Sequence, residues 1–345
     1  MERSMYRFSV IIPAFNAEST VRRCLDSVYA LPVPESEFEV IVIDDCSSDG
    51  TVARIQDYAA AHSNLTLLRQ SENHRQGAAR NRGVAASKGK YVLFLDSDDE
   101  IAPGIISALR LADQSDLEMT VLRAVSVDAE GQLRHEYRLP YPQDRVFKGI
   151  DLQSEYPYWC SGPVLYVYSR GFLERTGYPF AEDVLYEDCD FVNVHLYYAQ
   201  RMGYCDTVSY RIHENSHSTT RTMSFKHACD YALLGTRMLA FYRNIEKEKT
   251  VYADSILEGG SYNIMKAFRA LLRLGSWAEV RAFYDRLDAR ANRKDYLSYR
   301  EPAYCWNRWT RFCLKHRTWA TFLAGSVGFF RLRKIKSVLN SFSHA

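Results

Sequence analysis

Three carboxylates, Asp96, Asp98 and Asp99, fall within four residues directly after the apolar run Tyr91-Val-Leu-Phe-Leu95. The run reads as a buried strand. Like charges crowded at a strand end repel one another, and a bound cation relieves that repulsion. Hard oxygen ligands of this kind suit Mg2+ or Mn2+. A divalent ion beside the carboxyl edge of a sheet points to a phosphorylated ligand. The plain alternative is a solvated acidic turn, with Asp98 or Asp99 capping the helix that follows Pro103.

The elements around this segment alternate. Phe8 to Pro13, Phe38 to Ile43, Leu65 to Leu68 and Tyr91 to Leu95 read as strands. Helical patterns cover roughly 17–30, 49–62 and 77–87, and another helix follows Pro103. Strands separated by helices of this length imply right-handed crossovers and a mostly parallel sheet flanked by helices. Such sheets bind ligands outside the carboxyl ends of their strands. Further on, 119–127 is strand-like, 128–131 is a turn and 132–138 returns as a hairpin. The region 140–185 is rich in Pro, Tyr and Gly and has no clear period. A helical pattern resumes over 183–200, and a strand follows over 203–212. Beyond about 225 the pattern is almost wholly helical, near 226–246, 253–274, 277–291 and 303–339. These patterns divide the chain into an α/β unit over 1–220 and a helical region over 221–345.

Each early strand ends in polar residues that can meet at one rim. The first ends in Pro13-Ala-Phe-Asn16 with Glu18 close behind, and the second in Asp44-Asp45-Cys46-Ser-Ser-Asp49-Gly-Thr51. The third leads to Gly77-Ala-Ala-Arg80-Asn81, and the fourth ends in the acidic cluster. A later segment reads Glu187-Asp188. Taken in this order, the motifs over about 7–220 resemble those of family 2 glycosyltransferases. The resemblance implies a GT-A (Rossmann-like) α/β fold and inverting transfer of a sugar from a nucleotide diphosphate donor, aided by a divalent metal.

The resemblance also implies roles: a catalytic domain over 1–220, with nucleotide-sugar binding over about 7–125 and the acceptor side over about 126–220. Asp98 would hold Mn2+ or Mg2+, with Asp99 beside it and His213 as a further candidate ligand. Asp96 or Asp99 would instead bind ribose or sugar hydroxyls; the motif does not apportion these tasks. Asp45 matches the family's base-reading aspartate. Uracil offers an N3–H donor that an ionised carboxylate accepts and cytosine does not, which favours a UDP-sugar. Cys46 stands where a glycine is more usual. Arg80 would reach the base or phosphates through its guanidinium, and Pro13, Asn16 and Glu18 would shape the rim. Asp188 matches the catalytic base: inversion by direct displacement needs a carboxylate that takes the acceptor's proton on the face opposite the leaving group. Glu187 would position the acceptor, and Trp159 would stack on a sugar ring.

The bulk numbers restrict the setting. A net charge of +2 conceals an asymmetry: residues 302–345 carry eight Lys or Arg and no acid, leaving 36 basic and 42 acidic residues before them. With Trp306, Trp309, Trp319 and several phenylalanines, that tail suits a helix lying on an anionic membrane. Peripheral contact with the inner face of the cell membrane would bring a cytoplasmic enzyme to a glycan or lipid-linked acceptor, as in surface polysaccharide synthesis. The same charge could bind nucleic acid, but nothing else in the chain argues for that. The eight cysteines form no C-x-x-C pair, so free thiols are expected. No signal peptide fits before the strand at Phe8. A dinucleotide oxidoreductase is disfavoured because no G-x-G-x-x-G follows the first strand. The non-enzyme rival is a nucleotide-sugar-binding protein of the same fold.

Overall fold

The computed structural model describes residues 6–156, 162–214, 224–245, 251–274 and 277–290. The chain divides into two compact units, Met1–Ser218 and Thr219–Ala345. In the first, β1 (Tyr6–Ala14), α1 (Val21–Tyr29), β2 (Phe38–Asp44), α2 (Thr51–Ala61), β3 (Leu65–Arg69), α3 (Arg75–Ala86) and β4 (Gly89–Phe94) alternate along the chain. Every residue of β2 is buried, the mark of a strand covered on both faces. On α1 the buried residues Val21, Cys24, Leu25 and Val28 recur at helical spacing and lay one face on the core.

The strands β3-β2-β1-β4 are parallel, with Val10 opposite both Val40 and Leu93. Chain order therefore reverses between β1 and β4. The strand ends diverge there and leave a crevice at the carboxyl edge, opened by Asn16 on one side and Asp96 on the other.

The two-residue strand β5 (Glu100–Ile101) and α4 (Ile105–Ser115) follow, then β6 (Met119–Val127) and β7 (Leu133–Tyr137) as the expected hairpin. The region without a clear period holds α5 (Gly149–Glu155), β8 (Tyr166–Ser169) and α6 (Arg170–Thr176). The short β8 inserts antiparallel between β4 and β6, and β9 (Met202–His213) runs parallel to β6 and antiparallel to β5. The parallel half thus continues into a mixed half. The pairing of β5 with β9 brings the end of β9 back beside the acidic turn that follows β4.

Between β8 and β9, α7 (Asp188–Tyr198) begins five residues later than the pattern predicts. Asp183 and Tyr186 have φ of 60° and 64°, which a right-handed helix does not admit. The loop they bend lies along α3, where a Cβ on Gly77 would stand 2.0 Å from the Ala181 carbonyl oxygen. Only glycine permits that approach.

The second unit contains α8 (Phe225–Ile245), α9 (Val251–Leu274) and α10 (Trp277–Arg290). Helices α8 and α9 cross with backbones nearly touching: a Cβ on Gly235 would lie 2.6 Å from the Gly260 carbonyl oxygen. The helix expected over 303–339 and the membrane contact expected of the basic tail lie outside the described residues. Among the described residues no helix is long and apolar enough to cross a membrane.

Gly77→Ala should lower stability by about 1–3 kcal/mol, the usual cost of overpacking, seen as a reduced Tm in thermal denaturation. Gly171→Ala, where an added Cβ meets nothing closer than the Ser169 hydroxyl at 3.9 Å, should leave the Tm unchanged or slightly higher. Equal effects at both positions would remove the close approach as the cause.

Candidate active site

The β1 and β2 ends interlock. Asn16 has φ of 49°; its Oδ1 accepts from the Ser48 N–H at 2.9 Å, and its own N–H donates to the Ser47 hydroxyl at 3.0 Å. Pro13 is buried within β1, opposite Ile43. Glu18 accepts from the Gly50 N–H at 3.0 Å, with Arg54 3.7 Å away, and so caps the start of α2. Cys46 has φ of 65°, in the left-handed region that glycine adopts at no cost.

Asp45 is buried at the base of the crevice. Its Oδ1 accepts from Gln70 Nε2 at 2.6 Å and from the His74 N–H, at the start of α3, at 2.8 Å. The helix start supplies both an otherwise unpaired N–H and the positive end of the dipole. Among the described residues Oδ2 receives no hydrogen bond.

The acidic turn is held from β9. The Tyr210 hydroxyl donates to Asp99 Oδ2 at 2.9 Å and accepts from the Asp96 N–H at 3.1 Å, while the His213 N–H donates to Asp99 Oδ1 at 2.8 Å. Burial, together with the charges of Asp96 and Asp98, pushes Asp99 up to about 8. Both Asp99 oxygens are engaged, and the His213 imidazole bonds to Glu100. This differs from the metal-ligand role expected of Asp99 and His213: the first is a buried strut of the turn, and the second ties that turn to β9. Asp98 is partly exposed, and its carbonyl accepts from Arg23. Among the described residues no three His, Cys, Asp or Glu side chains form a cage for a metal ion. The donor chemistry still fits Mg2+ or Mn2+, because such ions take one or two carboxylates and complete their shell with substrate phosphates and water.

Arg80 departs furthest from expectation. It is 2% exposed, and its guanidinium serves protein carboxylates. Nη2 donates to Asp96 Oδ1 at 2.8 Å and to Gln76 Oε1 at 3.3 Å, and Nη1 donates to Glu187. The Phe180 ring lies 5.5 Å from its Cζ, over an aromatic floor in which Phe180 stacks on Phe191 and meets Phe94 edge-on. Burial works against the Arg80 charge, but Asp96 and Glu187 more than offset this and raise its pKa.

Glu187 is the N-cap of α7, and Asp188 is the first residue inside that helix. Burial first, then the neighbouring Glu187 charge, lifts Asp188 to about 6 against the opposing pull of Arg80. A carboxylate so poised is a competent proton acceptor near neutral pH. Asp188 also senses the charge of Asp96, so the two acidic groups found far apart in sequence share one electrostatic neighbourhood. Trp159 lies outside the described residues.

Several residues that hold the site received no role from sequence reasoning. Asn81 accepts from the Phe180 N–H at 2.9 Å and donates to the Phe180 carbonyl at 3.1 Å. His74 bonds to Asp183 at 3.0 Å, which raises its pKa above the usual histidine value. Tyr210 had no signal beyond its place near the end of a strand.

Both fold and sequence have counterparts among sugar-transferring enzymes. The crystal structure of Staphylococcus aureus TarS 1–349 in complex with UDP-GlcNAc matches with a TM-score of 0.61 at 19% identity, over 89% of this chain and 79% of that one. The architecture is that of the GT-A glycosyltransferases. The model of the family described as Glycosyl transferase family 2 matches residues 9–175. The poly(ribitol-phosphate) beta-glucosyltransferase of Bacillus spizizenii is 32% identical over 126 residues, 35% of this chain and only 20% of that protein. The uncharacterized glycosyltransferase YibD of Escherichia coli is 27% identical over 282 residues, 79% of each chain.

The acidic limb of kcat/KM should fall near pH 6 if Asp188 acts ionised: activity is present above that pH and drops about tenfold per unit below it. A rate–pH profile of the purified protein checks this; a limb near pH 4 would contradict the burial of Asp188.

Proposed function

We propose that this chain is an inverting glycosyltransferase that moves a sugar from a UDP-sugar to a hydroxyl of a glycan or lipid-linked glycan, in the synthesis of a surface polysaccharide. The observation that carries the reading is the placement of Asp188, the first residue of α7, next to Glu187, whose partner Arg80 also holds Asp96 at the carboxyl end of β4. One relative is named for transfer to poly(ribitol-phosphate), and a structural neighbour is titled as a UDP-GlcNAc complex; both support a hexosyl or N-acetylhexosaminyl donor and a polymeric acceptor.

In this reading Asp45 is fixed through Oδ1 and presents Oδ2 to the uracil N3–H, with Pro13 and Asn16 shaping the rim beside it. The donor's diphosphate lies toward Asp98. Mg2+ or Mn2+ held there by Asp98 would supply Lewis-acid stabilisation of the developing diphosphate charge. Asp99 carries the turn on which Asp98 stands. The acceptor hydroxyl, oriented near Glu187, attacks the anomeric carbon from the side opposite the diphosphate. Asp188 takes the hydroxyl proton as the new glycosidic bond forms and the bond to the diphosphate breaks, inverting the anomeric configuration.

A panel of nucleotide sugars tested for release of free nucleotide, with Mn2+ or Mg2+ present, decides the donor. Release of UDP from at least one UDP-sugar is expected; turnover confined to GDP- or dTDP-sugars would reject the assignment. Asp188→Asn and Asp98→Ala should each lower kcat by about 100-fold or more, the range typical of a lost general base for the first, with the thermal transition retained. Undiminished transfer in either folded variant would remove that residue from the mechanism.

A further inference from the structure

The resemblance gives Arg80 to the donor, yet its surroundings leave no room for one. Its outer nitrogens are occupied by Asp96, Gln76 and Glu187, an aromatic ring covers the guanidinium, and only 2% of the residue reaches solvent. A phosphate or base could touch it only after a buried ion pair had opened. Removing one partner from such a pair leaves an uncompensated buried charge.

What Arg80 does touch is informative. Glu187 immediately precedes Asp188 and occupies the N-cap position of the same helix, its carboxylate turned to Arg80. Asp96 follows β4 at the crevice. The charged or titratable groups acting on Asp188 are Glu187 at the start of α7, Arg80 on α3, and Asp96 after β4; Tyr168 on β8 feels Asp188 in turn. Among these described residues Arg80 is the cation, set against the carboxylates of Glu187, Asp96 and Asp188 itself. Without it, like charges would disfavour ionisation throughout the cluster.

Building on the glycosyl-transfer reading, we infer that Arg80 is a positioning residue of the transfer step: it touches neither substrate, and by holding Glu187 and Asp96 it fixes the start of α7 and keeps the Asp188 carboxylate available as the base. The planar fork is required because two carboxylates on different elements must be met at once. A lysine reaches one of them as a point charge.

The test compares wild type with Arg80→Met, Arg80→Lys, Glu187→Gln and the double variant Arg80→Met/Glu187→Gln. Steady-state kinetics are run from pH 5 to 9, and Asp188 ionisation is followed in the free proteins by carboxyl 13C NMR, its signal assigned by its loss in Asp188→Asn. In Arg80→Met the acidic limb and the NMR midpoint should both rise by at least about one pH unit, so that activity at pH 6 falls about tenfold or more, while the donor KM changes less than about twofold. Glu187→Gln alone should move both downward, and in the double variant the limb should return toward the wild-type position. Arg80→Lys should keep the limb and lose kcat. If Arg80→Met does not fold, as a thermal melt would show, the double variant, in which neither member of that pair is charged, and Glu187→Gln carry the comparison.

A donor KM raised more than about tenfold with an unmoved limb would overturn the inference and return Arg80 to the donor. A limb that Glu187→Gln leaves in place would overturn it as well. Wild-type protein inactive with every nucleotide sugar would instead overturn the glycosyl-transfer reading itself. An active wild type with an unshifted Arg80→Met overturns only the role given to Arg80.

Discussion

A buried guanidinium must be paired, because an isolated charge inside a protein costs far more than any single contact returns. Arg80 meets that demand with one near and one distant partner in the first unit: Asp96, 16 residues away, and Glu187, 107 residues away. The end of β4, the first turns of α3 and the start of α7 are therefore fixed in one arrangement. Other contacts on α3 reinforce it. Gly77 admits the Ala181 carbonyl, Asn81 brackets the Phe180 peptide, and His74 reaches Asp183 while its backbone holds Asp45. One helix thus sets the spacing between the carboxylate assigned to the nucleotide base and the carboxylate assigned to the proton.

The acidic turn obeys a different logic. Three carboxylates at one strand end would repel one another if they were equivalent, and the fold makes them unequal. Asp96 is drawn to Arg80, and Asp99 is buried against Tyr210 and the His213 peptide. Asp98 stands between them, partly exposed, with its carbonyl accepting from Arg23. The turn itself is stabilised by neutral donors, the Tyr210 hydroxyl and the His213 peptide.

The legibility of this arrangement follows the physics. Strands β1, β2 and β4 announce themselves as continuous apolar runs, and β6 has the bounds its pattern predicts, because burial on both faces leaves an unambiguous composition. The polar residues at their ends pointed to one rim. Elements of four to seven residues, such as α5, β8 and α6, carry too few periods to read, and their positions are set by tertiary pairing. The late start of α7 depends on left-handed backbone at Asp183 and Tyr186, residues with no glycine-like signature. Arg80 illustrates the deepest difficulty. Arginine in a helix usually faces water, and nothing local reveals that its partner is a glutamate more than a hundred residues downstream.

The hydrogen bond from the His213 peptide to Asp99 spans 114 residues, and this has a temporal meaning. On a ribosome the chain emerges from its first residue onward, and contacts between distant segments form late. The parallel half of the sheet can assemble while its acidic turn is still unsupported. That turn acquires its final shape only when β9 has been made and has docked, so a nascent chain stopped short of it would own the parallel half of the crevice but not a settled acidic turn at its edge.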